Sequence, residues 1–396
     1  MIRTATVAFT HYASDGRVRR MAEALAERGD NVTAITLRDQ GEPKSYHLAG
    51  VKVRTINLKQ HRGSNQLLYV TQYLAFMFIT SWILLVAHVK RRFDVVHINN
   101  MPNFMVFAAV PIKILGAKVI LDIHDPMPEL FESKFGAGKG QAAVRFIGWV
   151  EQVSIRFADR VISVHQIQLD TFTSRGADPE RFTIVQNVAD PKYFPVGRAL
   201  ETERDPDAVR LVYHGTMAPR LGLDILLRAV DACRHVVPGL HLLLIGDGDD
   251  TPRLLALIEE LEIDDIVTFE PGFVPVEDLL PHLVASDIGV VPANVNPFTR
   301  NMLPVKLLEY VTLGIPSIST DLPSIRYYFE PTEVTLVEPG SVELLASAIE
   351  ALALDPELRE KQAREALQFT QRHSWEGERD RYLDLMDSLA AGRADG

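Results

Sequence analysis

Residues 301–320 read NMLPVKLLEYVTLGIPSIST. Leu307, Leu308 and Val311 recur at helical spacing behind Pro304, whose fixed φ suits the first position of a helix. Gly314, Ile315 and Pro316 end the run, and the β-branched PSIST that follows reads as a strand. Glu309 breaks this plan, a carboxylate in mid-helix one turn beyond Lys306. A helix start presents unpaired N–H groups and the positive end of the helix dipole, which together make an anion site. Lys306 and nearby Arg300 add charge to it. A carboxylate one turn further on cannot bind the same anion, but it can accept paired hydrogen bonds from vicinal hydroxyls, as on a ribose. A phosphate followed by a ribose is a nucleotide. The alternative is a surface pair of Lys306 with Glu309, worth about 0.2–0.5 kcal/mol.

The helix-then-strand unit recurs outward in both directions. TATVAF, NVTAITL, DVVHIN, KVILDIH, RVISV and FTIVQN read as strands in the first half; VRLVYHG, HLLLIGDG, IVTFE, DIGVVP and PSIST do so in the second. Continuous apolar strands separated by helices, such as Arg17 to Arg28, mean parallel sheets covered on both faces. Two such sets predict two doubly wound, Rossmann-like α/β domains, which the 396 residues accommodate. The expected division is a first domain over 1–189, a proline-bearing polar linker over 190–208, a second domain over 209–374, and a terminal helix with a frayed tail over 375–396.

Composition narrows the function classes. Hydrophobic residues make up 47% of the chain and charged residues 23%, which describes a soluble globular protein. Cys233 is the single cysteine, so no disulfide framework or cysteine zinc site is expected, and a reducing, cytoplasmic compartment fits. Residues 1–30 lack the apolar core of a signal peptide. Residues 1–188 carry 23 Lys and Arg against 16 Asp and Glu, whereas residues 189–396 carry 18 against 36. The acidic second half argues against a nucleic-acid partner. The basic first half suits an anionic surface such as a membrane, or is unselected surface charge. From Gly63 to Val89 there is no Asp, Glu, Lys or Arg. Gln72, Thr80 and His88 dilute that stretch and a central strand follows it, so a buried or membrane-touching helix is expected rather than a span.

Several signatures are missing. The first strand runs into THYASDGRVRR, without a Gly-x-Gly-x-x-Gly; there is no Gly-Lys-Ser/Thr loop, no His-Glu-x-x-His and no Gly-x-Ser-x-Gly. GDGDD at 246–250 reads as a turn with an Asp cap before a helix, not a metal site. Ligands of doubly wound domains sit at the carboxyl ends of strands. Four such ends carry unusual residues: HYASDGR with Gly16, His124 in HDPMPEL, HGTMAPRLG with Arg220, and ANVNPFTRNMLPVKLLEY. Each has a plainer reading. His124 alternatively is a satisfied core histidine, Arg220 a solvated turn residue, Asp15 and Arg17 a helix cap and its first turn, and Asp125 and Glu129 caps after their strand.

The order VYHGTMAPRLGLDILLRAV, LLLIGDGDD, FEPGFVPVEDLLPHLVASDIGVVP and PVKLLEYVTLGIPSIST resembles the second domain of glycosyltransferases of the GT-B fold. The likeness is to the retaining glycosyltransferase family 4 (group 1). DGRVRRMAEALAERGDNVTAIT, KVILDIHDPMPELF and TIVQNVADPKYF agree with its first domain, so it covers about Ala5 to Leu389. The resemblance implies two Rossmann-like domains facing a central cleft, with the C-terminal helix crossing back to the first. It implies transfer of a sugar, with retention, from a nucleotide-diphosphate sugar to a hydroxyl of a lipid-linked or polysaccharide acceptor. Glu309 would hold the ribose; the N–H groups near Val305 and Lys306 would meet the phosphates; Gly272 and Val274 would lie along the base. Gly16 would let the diphosphate approach closely, and His124 would touch the donor sugar or the reacting centre as a catalytic residue. Gly215 and Thr216 would line the donor site, and Arg220, Lys306 or Arg300 would stabilise the leaving diphosphate, with no cofactor and no metal ion. This chain departs from the pattern at Asn301, where the family has Glu, and at Thr216 and Leu221, where it has Arg and Lys; Arg220 is the expected replacement. Attachment to the cytoplasmic face of a membrane is expected. Three rivals remain: an oxidoreductase, a nucleotide-sugar epimerase, and a non-catalytic nucleotide-sugar binder. NAD protection would favour the first, donor conversion without acceptor the second, and tight binding without turnover the third.

Overall fold

The computed structural model describes residues 1–58, 66–135 and 140–392. Two compact units divide the chain: Met1–Asn187 with Glu376–Gly396, and Val188–Trp375. The tail from 393 and residues 63–65 of the uncharged stretch lie outside the described residues.

Unit 1 is built on eight strands: β1 Arg3–His11, β2 Asn31–Leu37, β3 Ser45–Leu48, β4 Val51–Ile56, β5 Val95–Asn99, β6 Lys118–Ile123, β7 Arg160–Ser163 and β8 Phe182–Ile184. Their order is β3-β4-β2-β1-β5-β6-β7-β8, parallel except for the β3–β4 hairpin. Strand β5 is buried at every position, as a strand covered on both faces must be. Unit 2 has six parallel strands: β9 Val209–His214, β10 Leu240–Gly246, β11 Val267–Pro271, β12 Ile288–Val291, β13 Ser317–Thr320 and β14 Thr335–Val337. Their order is β11-β10-β9-β12-β13-β14. Both units are doubly wound. The order reverses beside β1 in one sheet and beside β9 in the other, and such reversals open crevices at the carboxyl ends of the strands. Leu211, Leu242, Leu244, Ile288 and Ile318 form the centre of the unit 2 core, Val7, Val96, Ile98 and Leu121 that of unit 1. Each such buried side chain contributes about 1.5–3 kcal/mol relative to exposure.

Local details depart from the sequence reading. Residues 190–208, expected as a linker, are bonded into unit 2. The Gly197 N–H donates to Thr312 O at 2.8 Å, and the Arg204 guanidinium donates to Val284 O, Ser286 O and Ala199 O. The turn at 246–250 is present, but Asp250 does not cap with its side chain; its carboxylate binds the Arg253 guanidinium, and Asp247 takes the Gly248 N–H instead. The terminal helix Trp375–Ala391 is anchored in unit 1, where Glu378 accepts the Gln186 N–H at 2.8 Å and Tyr382 meets His97 at 2.9 Å. The uncharged stretch becomes one helix, Gln66–Lys90, with Phe76, Thr80, Leu84 and His88 buried at four-residue intervals.

Candidate active site

The helix of the opening segment spans Val305–Leu313. Pro304 precedes it instead of opening it: its ψ of 123° is extended, and its carbonyl accepts the Leu307 and Leu308 N–H groups. The proline therefore takes the capping position, and Val305 and Lys306 supply the first two helical N–H groups. Gly314, at φ 79°, closes the other end, where Ile315 N–H returns to Tyr310 O.

Glu309 does not pair with Lys306. Its Oε2 lies 2.7 Å from Nε2 of His214, the last residue of β9 and 95 positions away. His214 Nδ1 lies 3.0 Å from the Tyr310 hydroxyl, which also takes the His214 backbone N–H at 3.2 Å. The His214 ring thus bridges the Glu309 carboxylate and the Tyr310 hydroxyl, which also donates to Val212 O at 3.4 Å. Glu309 is thereby aimed, and among the described residues its Oε1 carries no hydrogen bond. That geometry answers why a carboxylate stands among apolar neighbours.

Lys306 turns to the other side of β9. Its Nζ donates to the Tyr213 hydroxyl at 2.7 Å and lies 3.9 Å from that ring's centroid, and Tyr213 donates onward to Thr216 O at 2.8 Å. Desolvation pushes the Lys306 amine down to about 7, against the pull of Glu309 and with a smaller push from the Arg220 charge. Arg220 sits on the single-turn helix Pro219–Leu221 with its guanidinium 5.6 Å from the Phe298 ring centroid, and its buried Nε has no hydrogen-bond partner among the described residues. A desolvated amine and an unpartnered guanidinium on one crevice are the donors an anion would satisfy.

The remaining residues take their expected places at strand ends. Gly215, at φ 106°, and exposed Thr216 follow β9. A Cβ on Gly246 would collide with the Gly215 carbonyl, so the two loops approach as only glycine allows. Gly272, at φ 118°, donates its N–H to Gly246 O after β11, and Val274 follows, partly exposed. Arg300 and Asn301 lie on the Thr299–Asn301 turn, Arg300 exposed and Asn301 partly so. Asn296 holds that turn by accepting the Phe298 and Thr299 N–H groups at 2.9 Å.

Unit 1 carries Gly16 and His124. Asp15 caps the Gly16–Glu27 helix through the Val18 N–H at 3.0 Å, and beyond its chain neighbours and own helix no described residue comes within 4 Å of the place a Gly16 Cβ would take. Arg17 is not a first-turn surface residue. It forms a buried two-point pair with Asp122, at 3.0 and 2.9 Å, and donates to Val185 O. Asp122 also lies 3.3 Å from His97 Nε2 and 3.3 Å from His124 Nε2. Burial alone would raise the Asp122 carboxyl, but Arg17 and then His124 hold it well below the usual carboxylate range. Burial lowers His97. His124 is 22% exposed at its side chain, with its N–H on Asn100 Oδ1 at 2.8 Å and its Nε2 within 3.3 Å of Asn99 Oδ1. It is a held but open imidazole, not a sealed core residue. Glu129, read as a cap, instead pairs with Arg175. Among the described residues no three His, Cys, Asp or Glu side chains gather as a metal site would need.

The family model described as Glycosyl transferase 4-like domain matches residues 15–188, and the one described as Glycosyl transferases group 1 matches residues 201–369. The D-inositol 3-phosphate glycosyltransferase of Actinosynnema mirum is 26% identical over 382 residues, 91% of this chain and 88% of that enzyme. Sucrose-phosphate synthase from Thermosynechococcus elongatus superposes with a TM-score of 0.79 at 20% identity, over 99% of this chain and 100% of the other. Anabaena HepE, solved with UDP and glucose, superposes with a TM-score of 0.72 at 17% identity, over 98% of this chain and 100% of the other. At those identities the two structures speak for the fold.

Proposed function

This chain belongs to the group 1 glycosyltransferases, is therefore an enzyme, and on that premise we propose that it transfers a sugar, with retention, from a nucleoside diphosphate to a hydroxyl of a lipid-linked or saccharide acceptor. The observation that carries the donor class is Glu309, aimed by His214 at 2.7 Å and lying one turn from Lys306. Glu309 Oε1 takes the ribose hydroxyls. The N–H groups of Val305 and Lys306, the Lys306 amine, Arg220 and Arg300 take the diphosphate. Gly215 and Thr216 line its path, Gly272 and Val274 the base, and Asn301 a sugar hydroxyl. Gly16 and His124 belong to the same reaction from unit 1. The UDP held by HepE supports a nucleotide donor of this kind.

The bond between the anomeric carbon and the diphosphate oxygen breaks, the bond to the acceptor oxygen forms, and the acceptor proton leaves with the diphosphate. Charge grows on the leaving group, where Arg220 and the helix N–H groups are worth most, so no metal ion is required. The acceptor lies at the cytoplasmic face of a membrane, to which the protein is peripheral; the basic first half supports that reading. Calorimetric titration tests the site. Asn301→Ala weakens the full donor and spares the free nucleoside diphosphate, whereas Glu309→Ala weakens both alike. Unchanged diphosphate affinity in Glu309→Ala removes the central residue. Donor affinity with no transfer to any acceptor extract would overturn the transfer step, and Asn301, Thr216 and Leu221, where the chain departs from the family pattern, are the residues such a result would point to.

A further inference from the structure

The Gln66–Lys90 helix presents two unlike faces. One packs Phe76, Thr80, Leu84 and His88 onto the unit 1 core. The other leaves Phe78 66%, Trp82 67% and Val89 72% exposed, with Leu74 and Ile79 beside them. It packs against the 103–109 turn and the Val110–Ile114 helix, and the Gln141–Phe157 helix packs against the same turn. That layer adds Ile114 at 80% exposure and the stacked pair Phe146 and Trp149, ring centroids 5.8 Å apart. Two of the three tryptophans are therefore open to solvent in one layer, and tryptophan favours the boundary between water and lipid.

Charge identifies the occupant. The three helices of the layer and the turn after the first carry Lys90, Arg91, Arg92, Lys113, Arg145 and Arg156, against Asp94, engaged by the Arg3 N–H, and buried Glu151, paired with Arg175. Lys90, Arg91 and Arg92 stand exposed where the apolar helix ends. A protein partner would need acidic groups set against those three cations, whereas an anionic lipid surface supplies apolar depth and negative headgroups together. We propose that this layer docks unit 1 on an anionic membrane, with the Gln66–Lys90 helix lying in the interface and inserting Phe78 and Trp82. Length and composition permit a crossing by Leu68–Lys90. The buried face, with Thr80 and His88 packed against protein, keeps the helix on its sheet. This deepens the reading of a lipid-linked acceptor and rests on it only for motive.

Cosedimentation of the full chain with phosphatidylglycerol-containing vesicles, against pure phosphatidylcholine vesicles, tests it. Binding to the anionic vesicles is expected, with Trp82 and Trp149 fluorescence quenched by brominated acyl chains. The double substitution F78Q/W82Q, and separately R91E/R92E, should each weaken binding at least ~10-fold. Nucleotide titration of the same variants should be unchanged, which separates failure of the docking surface from failure of the donor site. Four results would each overturn the proposal: no vesicle affinity, affinity indifferent to both double variants, retention through alkaline carbonate as a true span shows, or a dimer in solution that F78Q/W82Q dissociates while vesicles go unbound.

Discussion

Asp122 in unit 1 and Glu309 in unit 2 each meet a histidine, at 3.3 and 2.7 Å, yet they are opposite kinds of group. Asp122 is wholly buried and saturated: both oxygens are taken by Arg17, and two imidazoles stand against Oδ2. Glu309 spends one oxygen on His214 and keeps the other open. The first can hold its neighbours in place and bind nothing else; the second can bind a ligand because a single neighbour already orients it. Saturation, more than charge or depth, separates a scaffold carboxylate from a recognising one.

The sharpest way to break that distinction is Asp122→Asn. It strands the Arg17 guanidinium in the interior, and loss of one partner of a buried pair costs about 3–5 kcal/mol. Denaturant unfolding should show that loss with little change in nucleotide affinity. The pH dependence follows the same logic. The folded carboxyl lies well below its unfolded value, so its stabilisation is fully present above roughly pH 4 and is lost as pH falls through the folded value. Wild-type stability should therefore fall steeply in acid, and the Asn variant should lack that slope. A neutral effect on stability would mean that Asp122 is not the scaffold described.

Arg220→Ala comes next. It should lower kcat by roughly 10²-fold, as for loss of one donor to transition-state charge. Unchanged turnover would move that role to Lys306 or Arg300. Glu309→Ala should weaken nucleoside diphosphate binding by about 1–3 kcal/mol and Glu309→Gln by less, while stability moves by about 1 kcal/mol through the half-emptied His214. A stability loss as large as that of Asp122→Asn, with affinity intact, would collapse the comparison. Per pH unit, the smallest effect is the pH response of Lys306. With its amine at about 7, the free enzyme loses that positive charge as pH rises through 7. A bound anion restores it, so diphosphate binding should take up a proton and weaken by up to about tenfold per pH unit above 7. Lys306→Met should flatten the profile, and a wild-type affinity independent of pH from 6 to 9 would refute the assignment.

The part of this legible in sequence was what lies close along the chain. The helix start, the stop at Gly314, the Asp15 cap and the alternation that makes two doubly wound sheets all arise from neighbours within one or two turns. What stayed hidden was pairing at a distance. His214 lies 95 residues from Glu309 and Arg17 105 from Asp122, and only the sheet brings them together. VYHG does place a histidine at a strand end, a signal that could have singled out His214. Pro304 was misplaced by one residue because a fixed φ suits both the cap and the first helical position, and only ψ decides between them.

The return of the terminal helix to unit 1 sets an order of manufacture. A ribosome emits residues 1–187, then all of unit 2, and only then Tyr382, which reaches back to the buried His97. Unit 2 is contiguous and can fold as soon as it emerges. Unit 1, begun first, waits with the His97 part of one sheet face uncovered until synthesis has passed residue 382. The half that is started earliest is the half finished last, and once residue 375 has emerged, but before Tyr382 has, the chain carries a complete second unit attached to an incomplete first.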